Sequence, residues 1–346
     1  KGVIRVEMGP RLCDKCGQES PHLRCHNRLV SGEAVECGGR TQESKRRGGQ
    51  FRRRKGQRTS VPLGGILEIK RRALGLDRVP KRIKAVKGLV SIDQTPEPIE
   101  KGILRAKHEV SVFRDGTSRY DMSDVPITHF KPSEIGTPWN KLHDLGYSHD
   151  IFGAPLESDE QMLELFPQDF VPSILAKSHL LNTCHFVDDL LVRFYGMEPF
   201  YEVSDESDLV GHLAIGLAPH TSGGVLCRII GWTGASAGYA HPLFHAAKRR
   251  NCDGDEDSLM MLLDGLLNFS RSILPAGRGG RMDAPLVLST RINPSEIDKE
   301  ALNVDCSWSY NRAFYEATKS QPHPSEIEGI VDLVSNRLGA VGEIRG

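Results

Sequence analysis

At residues 245–257 the chain reads His-Ala-Ala-Lys-Arg-Arg-Asn-Cys-Asp-Gly-Asp-Glu-Asp, and an almost wholly apolar run follows at residues 259–267. Carboxylates two residues apart would point to opposite faces of a regular strand. Gly254 lies between Asp253 and Asp255, and glycine permits a sharp turn that lets both carboxylates converge. Converged carboxylates repel each other unless a cation lies between them, and hard oxygen ligands favour Mg²⁺. This stretch therefore predicts a magnesium loop.

The residues just upstream of the loop are basic. Lys248, Arg249 and Arg250 would face the anion that a loop-bound metal brings in, because both side-chain types donate to phosphate oxygens. A metal held by carboxylates beside such cations indicates phosphoryl or nucleotidyl transfer to triphosphate or nucleic-acid substrates.

Other readings of the acidic loop stay open or are excluded by spacing. In the plainest one, Asp257 or Ser258 caps a buried helix predicted over residues 258–272, and the loop is only a solvated turn. A calcium loop of the EF-hand type is excluded because its sixth position is Ser258, where glycine is required. The diphosphate loop of sugar transferases also uses two aspartates at this spacing. The basic residues before the loop, and the cysteine knuckle and basic block described below, fit a nucleic-acid substrate better.

The stretch from His241 to Asp257 resembles the catalytic signature of the large subunit of archaeal family D DNA polymerase. The resemblance covers most of the chain, and its strings are long. They are Glu100-Lys-Gly-Ile-Leu-Arg-Ala-Lys107, Asp124-Val-Pro-Ile-Thr-His-Phe130, Ile215-Gly-Leu-Ala-Pro-His-Thr-Ser222, Leu266-Leu-Asn-Phe-Ser270 and Gly279-Gly-Arg-Met-Asp-Ala-Pro-Leu286.

The resemblance implies an α+β fold with a double-psi β-barrel catalytic core of the two-barrel polymerase type. It implies template-directed DNA synthesis, in which two Mg²⁺ ions support nucleotidyl transfer from a dNTP to a primer 3′-hydroxyl. Asp253 and Asp255 would be the metal ligands, with Asn251 beside them. The first barrel, with its catalytic lysines, should lie upstream of Lys1. We therefore expect an internal or C-terminal fragment that is inactive by itself.

The resemblance also implies partners. They are primer–template DNA and dNTP, a small polymerase subunit that carries a proofreading nuclease, and a sliding clamp whose contact lies outside this fragment. The complex would have an associated 3′–5′ exonuclease activity. Two alternatives remain: an RNA polymerase-type transcriptase, and a non-catalytic nucleic-acid-binding module built from a zinc ribbon and a basic arm.

The charge of the chain is zero overall but unevenly distributed. Residues 45–87 contain sixteen Lys or Arg residues against two acidic residues, Glu68 and Asp77. A block this basic indicates a polyanionic partner, nucleic acid first, whose phosphates it would bind without reading sequence. A solvated basic linker is compatible with that interpretation, since like charges and glycines in residues 45–60 oppose stable structure.

The eight cysteines do not have the pattern of a disulfide framework. Cys13 and Cys16 form a C-x₂-C-G knuckle, and Cys25 and Cys37 follow it. Four thiolates suit a closed, structural zinc site in a reducing cytosol. The ribbon resemblance implies a second knuckle, here split by residues 27–36, so Cys37 is the predicted fourth ligand, with His22 or His26 as substitutes.

Two further stretches are candidates for contact with substrate or DNA. Residues 218–224 place His220, Thr221 and Ser222 beside two glycines, which would suit a phosphate cradle or a plain glycine-rich turn. Arg281 lies in a basic turn later in the chain.

The domain pattern is predicted as five segments. They are a zinc-ribbon-like module at 1–44, a basic flexible linker at 45–62, a mixed α/β region at 63–205, the catalytic barrel segment with the acidic loop and buried helix at 206–295, and a supporting region at 296–346. Helices are expected at 63–76 and 179–195, the second from apolar residues at 3.6-residue spacing. No apolar run approaches a membrane span and no signal peptide is visible, so we expect a cytoplasmic, nucleoid-associated protein without a membrane partner.

Overall fold

The computed structural model describes residues 3–8, 11–20, 24–25, 28–30, 33–35, 37–43, 57–84, 97–219, 221, 223–269, 286–293 and 296–337. The chain divides into two units. The first comprises Lys1–Arg119, Asn182–Glu202 and Leu263–Ala284, and the second comprises Tyr120–Leu181, Val203–Leu262 and Pro285–Gly346. Both contain helices and strands, so the α+β class is confirmed.

The first unit opens with short strands around the cysteines. They are β1 (Val3–Met8), β2 (Arg11–Cys13), β3 (Glu19–Ser20), β4 (Arg28–Val30), β5 (Glu33–Val35), β6 (Thr41–Glu43) and β7 (Gln57–Pro62). Strand β2 lies between β3 and β6 in an antiparallel sheet, and β4 and β5 form a hairpin. This hairpin occupies the predicted insertion between Cys25 and Cys37.

Strand β7 corrects one predicted boundary. It pairs antiparallel with β1, with Val3 opposite Pro62 and Met8 opposite Gln57. The backbone groups of β1 need hydrogen-bond partners, and β7 supplies them. The flexible linker predicted for residues 45–62 is therefore wrong for 57–62, while residues 45–56 lie outside the described residues.

The helices of the first unit are held by buried ion pairs. Helices α1 (Leu63–Ala73) and α2 (Ile99–Lys107) are joined by Lys70 and Glu100, whose charged atoms are 3.0 Å apart. Arg105 of α2 forms a fully buried pair with Glu97 at 2.6 Å. The helix predicted over 63–76 is thus confirmed, slightly shorter at its C-terminal end.

The remaining elements follow in chain order. The strands are β8 (Tyr120–Pro126), β9 (His129–Phe130), β10 (Leu163–Glu164), β11 (Asp169–Val171), β12 (Leu213–Leu217), β13 (Gly223–Ile229), β14 (Ala237–Ala240), β15 (Glu256–Met261) and β16 (Val287–Ser289). The helices are α3 (Pro132–Ile135), α4 (Trp139–Asp144), α5 (Lys177–Leu190), α6 (Pro242–Ala247), α7 (Leu262–Asn268), α8 (Arg312–Thr318) and α9 (Pro324–Ile327). Helix α5 continues as a π-helical turn, Leu191–Tyr195. The two segments together confirm the helix predicted at residues 179–195.

Six strands of the second unit close into a barrel. The order is β11, β14, β8, β15, β12 and β13, and β13 pairs back with β11, while β16 extends the sheet beside β13. Asp169 of β11 lies opposite Arg228 of β13 where the barrel closes. The Arg228 guanidinium donates two hydrogen bonds to the Asp169 carboxylate, at 2.9 and 2.8 Å, and the Tyr147 hydroxyl donates a third at 2.6 Å. These charge-assisted hydrogen bonds stabilise the pairing of β11 with β13 that closes the barrel.

Two features of this barrel differ from the predicted segmentation. Its first strand, β8, begins at Tyr120, well before the predicted boundary at residue 206. The barrel starts so early because β8 and β11 pair with strands that come much later in the sequence. The helix predicted over residues 258–272 begins only at Leu262. Residues 256–261 form β15 instead, paired on one side with β12 and on the other with β8. The apolar run at residues 259–267 covers the buried end of β15 and most of α7, so in sequence the two elements look like one buried helix.

The C-terminal residues pack on the helix that leads into the acidic loop. Leu243 of α6 is fully buried in an apolar cluster with Cys306 and Val334. Ile297, Leu302 and Val304 cover the same cluster. The supporting role predicted for residues 296–346 therefore has a physical basis in this packing, as far as residue 337.

No helix within the described ranges is both long enough and apolar enough to span a membrane.

Close packing inside the barrel predicts a specific sensitivity. A Cβ at Gly238 would lie 2.3 Å from Cζ of Phe170 and 2.7 Å from Sδ of Met122, whereas a Cβ at Gly234 would meet nothing within 4 Å. We expect Gly238→Ala to lower the free energy of unfolding by about 1–3 kcal/mol through overpacking. Gly234→Ala is the matched control and should unfold at the wild-type denaturant midpoint. Equal midpoints for both variants would contradict the packing described here.

Candidate active site

The acidic loop, residues 251–255, joins α6 to β15. Gly254 adopts φ = 93°, a left-handed conformation that glycine accepts without strain, so the predicted sharp turn is confirmed. Arg249 is also left-handed, with φ = 60°, which ends α6 abruptly before the loop. The loop is therefore a tight connection between two buried elements.

A buried ion pair ties the two ends of the loop together. The Lys248 ammonium donates to the Asp257 carboxylate, and both side chains are almost fully buried. The Lys248 Nζ also lies 3.3 Å from Nδ1 of His245 and 4.5 Å from the ring centroid of Phe244. This interior position does not suit the anion-binding role predicted for Lys248. The lysine instead fixes the base of the loop.

The side chains between these ends face solvent. Asn251 and Asp253 are exposed, and the Asp255 side chain is 38% exposed. Arg250 Nη1 lies 3.3 Å from Oδ2 of Asp255, and Arg249 is exposed beside it. The oxygen ligands predicted for Mg²⁺ thus lie on one accessible loop, and two of the three predicted cations come directly before it.

The loop carboxylates do not form a compact set of three. In the part of the chain that the structure describes, three or more metal-ligand atoms come within 4.8 Å of one another only at the cysteines. Metal binding by Asp253 and Asp255 stays a prediction.

Asp124 of β8 lies beside the loop and was not among the predicted site residues. Its backbone N–H donates to the carbonyl oxygen of Asp255 at 2.8 Å. Burial raises the pKa of Asp124 to about 6; Lys248 opposes that rise, and Asp257, Asp255 and Asp253 add to it. No periodicity or spacing in the sequence identifies Asp124 as a site residue, because its contact with the loop depends on the pairing of β8 with β15.

Two histidines hold α6 in place without carrying charge. Nδ1 of His241 accepts a hydrogen bond from the backbone N–H of Leu243 at 3.2 Å and so caps the helix. Burial lowers the pKa of His241 to about 4 and that of His245 well below its usual value. Nε2 of His245 lies 3.2 Å from the carbonyl oxygen of Val125, which can only accept, so Nε2 carries the proton.

The predicted phosphate cradle is described only in part. The backbone N–H and the hydroxyl of Thr221 both donate to the carbonyl oxygen of Ala218, at 3.0 and 3.3 Å, which is a turn. His220, Ser222 and Arg281 lie outside the described residues.

The four predicted zinc ligands come together in the first unit. The sulfur atoms of Cys13, Cys16, Cys25 and Cys37 all lie within 4.8 Å of one another. The Sγ atoms of Cys13 and Cys37 are 3.9 Å apart, and those of Cys16 and Cys25 are 3.5 Å apart. The β4–β5 hairpin spans the gap between Cys25 and Cys37 without separating them.

The backbone around Cys13 favours its thiolate. Burial opposes ionisation of Cys13, but the N–H groups of Cys16 and Lys15 donate to its Sγ, and the pKa of Cys13 falls to about 7. Gly39 must be small, because a Cβ there would lie 2.4 Å from Sγ of Cys13. This arrangement has the donor set and the tight turns of a zinc knuckle.

Comparison with known proteins places this geometry in a family. Residues 76–346 match the family model described as DNA polymerase II large subunit DP2, catalytic domain. This chain belongs to the DP2 catalytic-domain family. The match includes the whole barrel and the acidic loop.

Similar proteins bear the name DNA polymerase II large subunit. The one from Methanocella arvoryzae is 52% identical over 354 residues, which cover 100% of this chain and 31% of the relative. Those from Archaeoglobus fulgidus and Pyrococcus furiosus are 50% and 46% identical, over 98% and 97% of this chain and 30% and 28% of their own lengths. The chain thus spans about a third of the DP2-family relatives it matches.

The buried ion pair of this DP2-family barrel predicts that removing one of its charges destabilises the protein more than removing both. Lys248→Met leaves the Asp257 carboxylate buried without a counter-ion, so we expect a loss of about 3–5 kcal/mol in the free energy of unfolding. The double variant Lys248→Met with Asp257→Leu removes both charges and should recover most of that loss. Denaturant unfolding measures both.

The matched control for Lys248→Met is Arg312→Met. Arg312 pairs with Glu316 on an exposed face of α8, where its side chain is 90% exposed. Its loss should cost less than about 1 kcal/mol. If Lys248→Met costs no more than Arg312→Met, the buried pair does not anchor the loop.

Proposed function

We propose that this protein is the catalytic part of the large subunit of a family D DNA polymerase. It performs template-directed DNA synthesis, in which a nucleotide passes from a dNTP to a primer 3′-hydroxyl with the help of Mg²⁺. One observation carries the proposal. An exposed loop with Asn251, Asp253 and Asp255 is tied at its base by a buried ion pair, within residues that match the DP2 catalytic domain.

The residues present fit a magnesium site. Asp253 and Asp255 offer carboxylate oxygens and Asn251 offers an amide oxygen, which are the hard ligands that Mg²⁺ prefers. Mg²⁺ keeps several of its waters and needs only one or two protein carboxylates besides substrate phosphates, so a loop without three converged carboxylates suffices. The buried oxygens of Asp124 lack hydrogen-bond partners within the described residues, which also fits a nearby cation.

The side chains of the loop have distinct roles in the proposed reaction. Asp253 and Asp255 would hold two Mg²⁺ ions, which lower the pKa of the primer 3′-hydroxyl and neutralise the leaving pyrophosphate. Arg249 and Arg250 would bind the triphosphate or the DNA backbone, since their guanidinium groups donate several hydrogen bonds to phosphate. Lys248 and Asp257 would keep the loop in one conformation while substrates exchange.

The cysteine cluster would bind a structural zinc ion. A tetrahedron with Zn–S bonds of about 2.3 Å has sulfur–sulfur edges of about 3.8 Å. The observed separations of 3.9 Å for Cys13 with Cys37 and 3.5 Å for Cys16 with Cys25 are close to that value. Four protein ligands leave no open position, so the ion would stabilise the ribbon and take no part in chemistry.

The wider assembly is proposed from the family resemblance. The barrel would be of the double-psi type and would pair with a second barrel to form the core. Primer–template DNA, a small subunit with a proofreading nuclease and a sliding clamp would be the partners, and the complex would be nucleoid-associated. The proposed 3′–5′ exonuclease activity would belong to the complex.

The polymerase proposal is tested with the complete large polypeptide co-expressed with its small subunit. Asp253→Ala with Asp255→Ala should lower Mg²⁺-dependent primer extension on the order of a thousandfold, because a metal ion supplies several kcal/mol of transition-state stabilisation. Binding of primer–template should persist. Asp144→Ala, an exposed aspartate at the end of α4, is the matched control and should extend primers normally.

Each other outcome identifies a different function. Normal extension by the double variant would show that the loop is structural, which favours a nucleic-acid-binding module. Extension with NTP in preference to dNTP would favour a transcriptase.

The zinc proposal is tested by metal analysis of the same polypeptide. Cys25→Ser should remove one zinc ion per chain and lower the thermal unfolding midpoint, because structural zinc contributes to folding. Cys252→Ser, in the acidic loop, changes a thiol outside the cluster and should keep the wild-type zinc content. An unchanged zinc content in Cys25→Ser would exclude Cys25 as a ligand.

A further inference from the structure

Asp124 has a defined position beside the acidic loop. Strands β8 and β15 are antiparallel neighbours with Ser123 opposite Glu256, and the N–H of Asp124 donates to the carbonyl oxygen of Asp255 at 2.8 Å. The backbone of Asp124 is thereby fixed to the residue proposed as a metal ligand.

The carboxylate of Asp124 is fully buried and unsatisfied. Its exposed fraction is 0%, and neither Oδ1 nor Oδ2 has a hydrogen-bond partner within the described residues. A buried carboxylate without donors is strongly unfavourable, and native proteins rarely keep one without a partner. Such a group therefore points to a cation or a bound water that satisfies it.

Neither His245 nor Lys248 supplies the missing donor. Nδ1 of His245 lies 3.5 Å from Oδ2 of Asp124, but the proton of this neutral ring is on Nε2, so Nδ1 presents a lone pair. The Lys248 ammonium is directed to Asp257 and to the same Nδ1. The electrostatic environment of Asp124 also includes Asp253 and Asp255, which add negative charge.

We propose that Asp124 is a third carboxylate of the magnesium site and acts on the hydrated ion. It accepts hydrogen bonds from water molecules that remain bound to one of the two Mg²⁺ ions held by Asp253 and Asp255. This inference rests on the proposed function of the loop. Mg²⁺ keeps several waters, and outer-shell acceptors orient them and raise metal affinity. A water layer also accounts for the lack of three ligand atoms within 4.8 Å at this loop.

The role assigned to Asp124 is that of a positioning residue. Its charge would balance the bound ion, and its fixed backbone would hold the water shell in one orientation relative to Asp255. Its loss should therefore weaken metal binding in the absence of DNA and dNTP. An effect on metal affinity separates this role from a purely structural one.

The test measures Mn²⁺ binding to the complete large polypeptide without DNA or dNTP, by the electron paramagnetic resonance signal of free Mn²⁺. Asp124→Asn keeps the shape of the side chain and removes its charge, and it should weaken Mn²⁺ binding about 10- to 100-fold. Asp253→Asn serves as the loop variant and should weaken binding at least as much. Asp144→Asn is the matched control and should bind as wild type does.

Unfolding in the presence of a chelator gives the second readout. Without a cation the Asp124 carboxylate is buried and unpaired, so Asp124→Asn should unfold at the wild-type midpoint or above it. A lower midpoint would show that Asp124 is a structural acceptor and would overturn the inference.

The binding results separate failure of this inference from failure of the proposed function. Wild-type Mn²⁺ affinity in Asp124→Asn with weakened binding in Asp253→Asn would overturn the role of Asp124 and leave the loop as the metal site. Wild-type affinity in both variants would overturn the metal role of the loop as well.

Discussion

The ion pair between Lys248 and Asp257 is the constraint on which the candidate active site depends. It joins the residue that ends α6 to the barrel strand that follows the loop. Both partners are buried, and the Lys248 ammonium lies over the aromatic rings of Phe244 and Phe170. Breaking either half would leave a charge in the interior, so the two ends of the loop are held together strongly. The exposed residues between them can then carry charge and bind ligands without determining the loop's conformation themselves.

The barrel provides room for this pair through glycine. A Cβ at Gly216 of β12 would lie 2.7 Å from Phe244 and 3.2 Å from Cδ of Lys248, so only glycine lets α6 approach the strand. The opposite side of α6 is covered by Cys306 and Val334 through Leu243. The acidic loop therefore leaves a helix fixed on two sides, which is the rigidity that a metal-binding loop requires.

Local patterns in the sequence predicted several parts of this structure. The 3.6-residue spacing gave the long helix near residue 180, the C-x₂-C-G knuckle led to the cysteine cluster, and Gly254 predicted the turn of the loop. Non-local pairing could not be derived in this way. The end of β15 looked like part of a helix because its apolar residues continue directly into α7. Strand β7 looked like a linker because its partner β1 is some fifty residues earlier. Lys248 looked like a phosphate ligand because its interior partner, Asp257, is identified only by the fold.

The charge balance around the loop favours the proposed cation. Asp124, Asp253, Asp255 and Asp257 contribute four carboxylates, while Lys248 is used by Asp257 and Arg250 by Asp255. Asp253 at the surface is hydrated by bulk solvent, whereas Asp124 is buried away from bulk solvent. A divalent cation near the loop would offset the two remaining charges at once. A single lysine or arginine at this place would offset only one of them, so a hydrated divalent ion suits the proposed chemistry better than a further basic side chain.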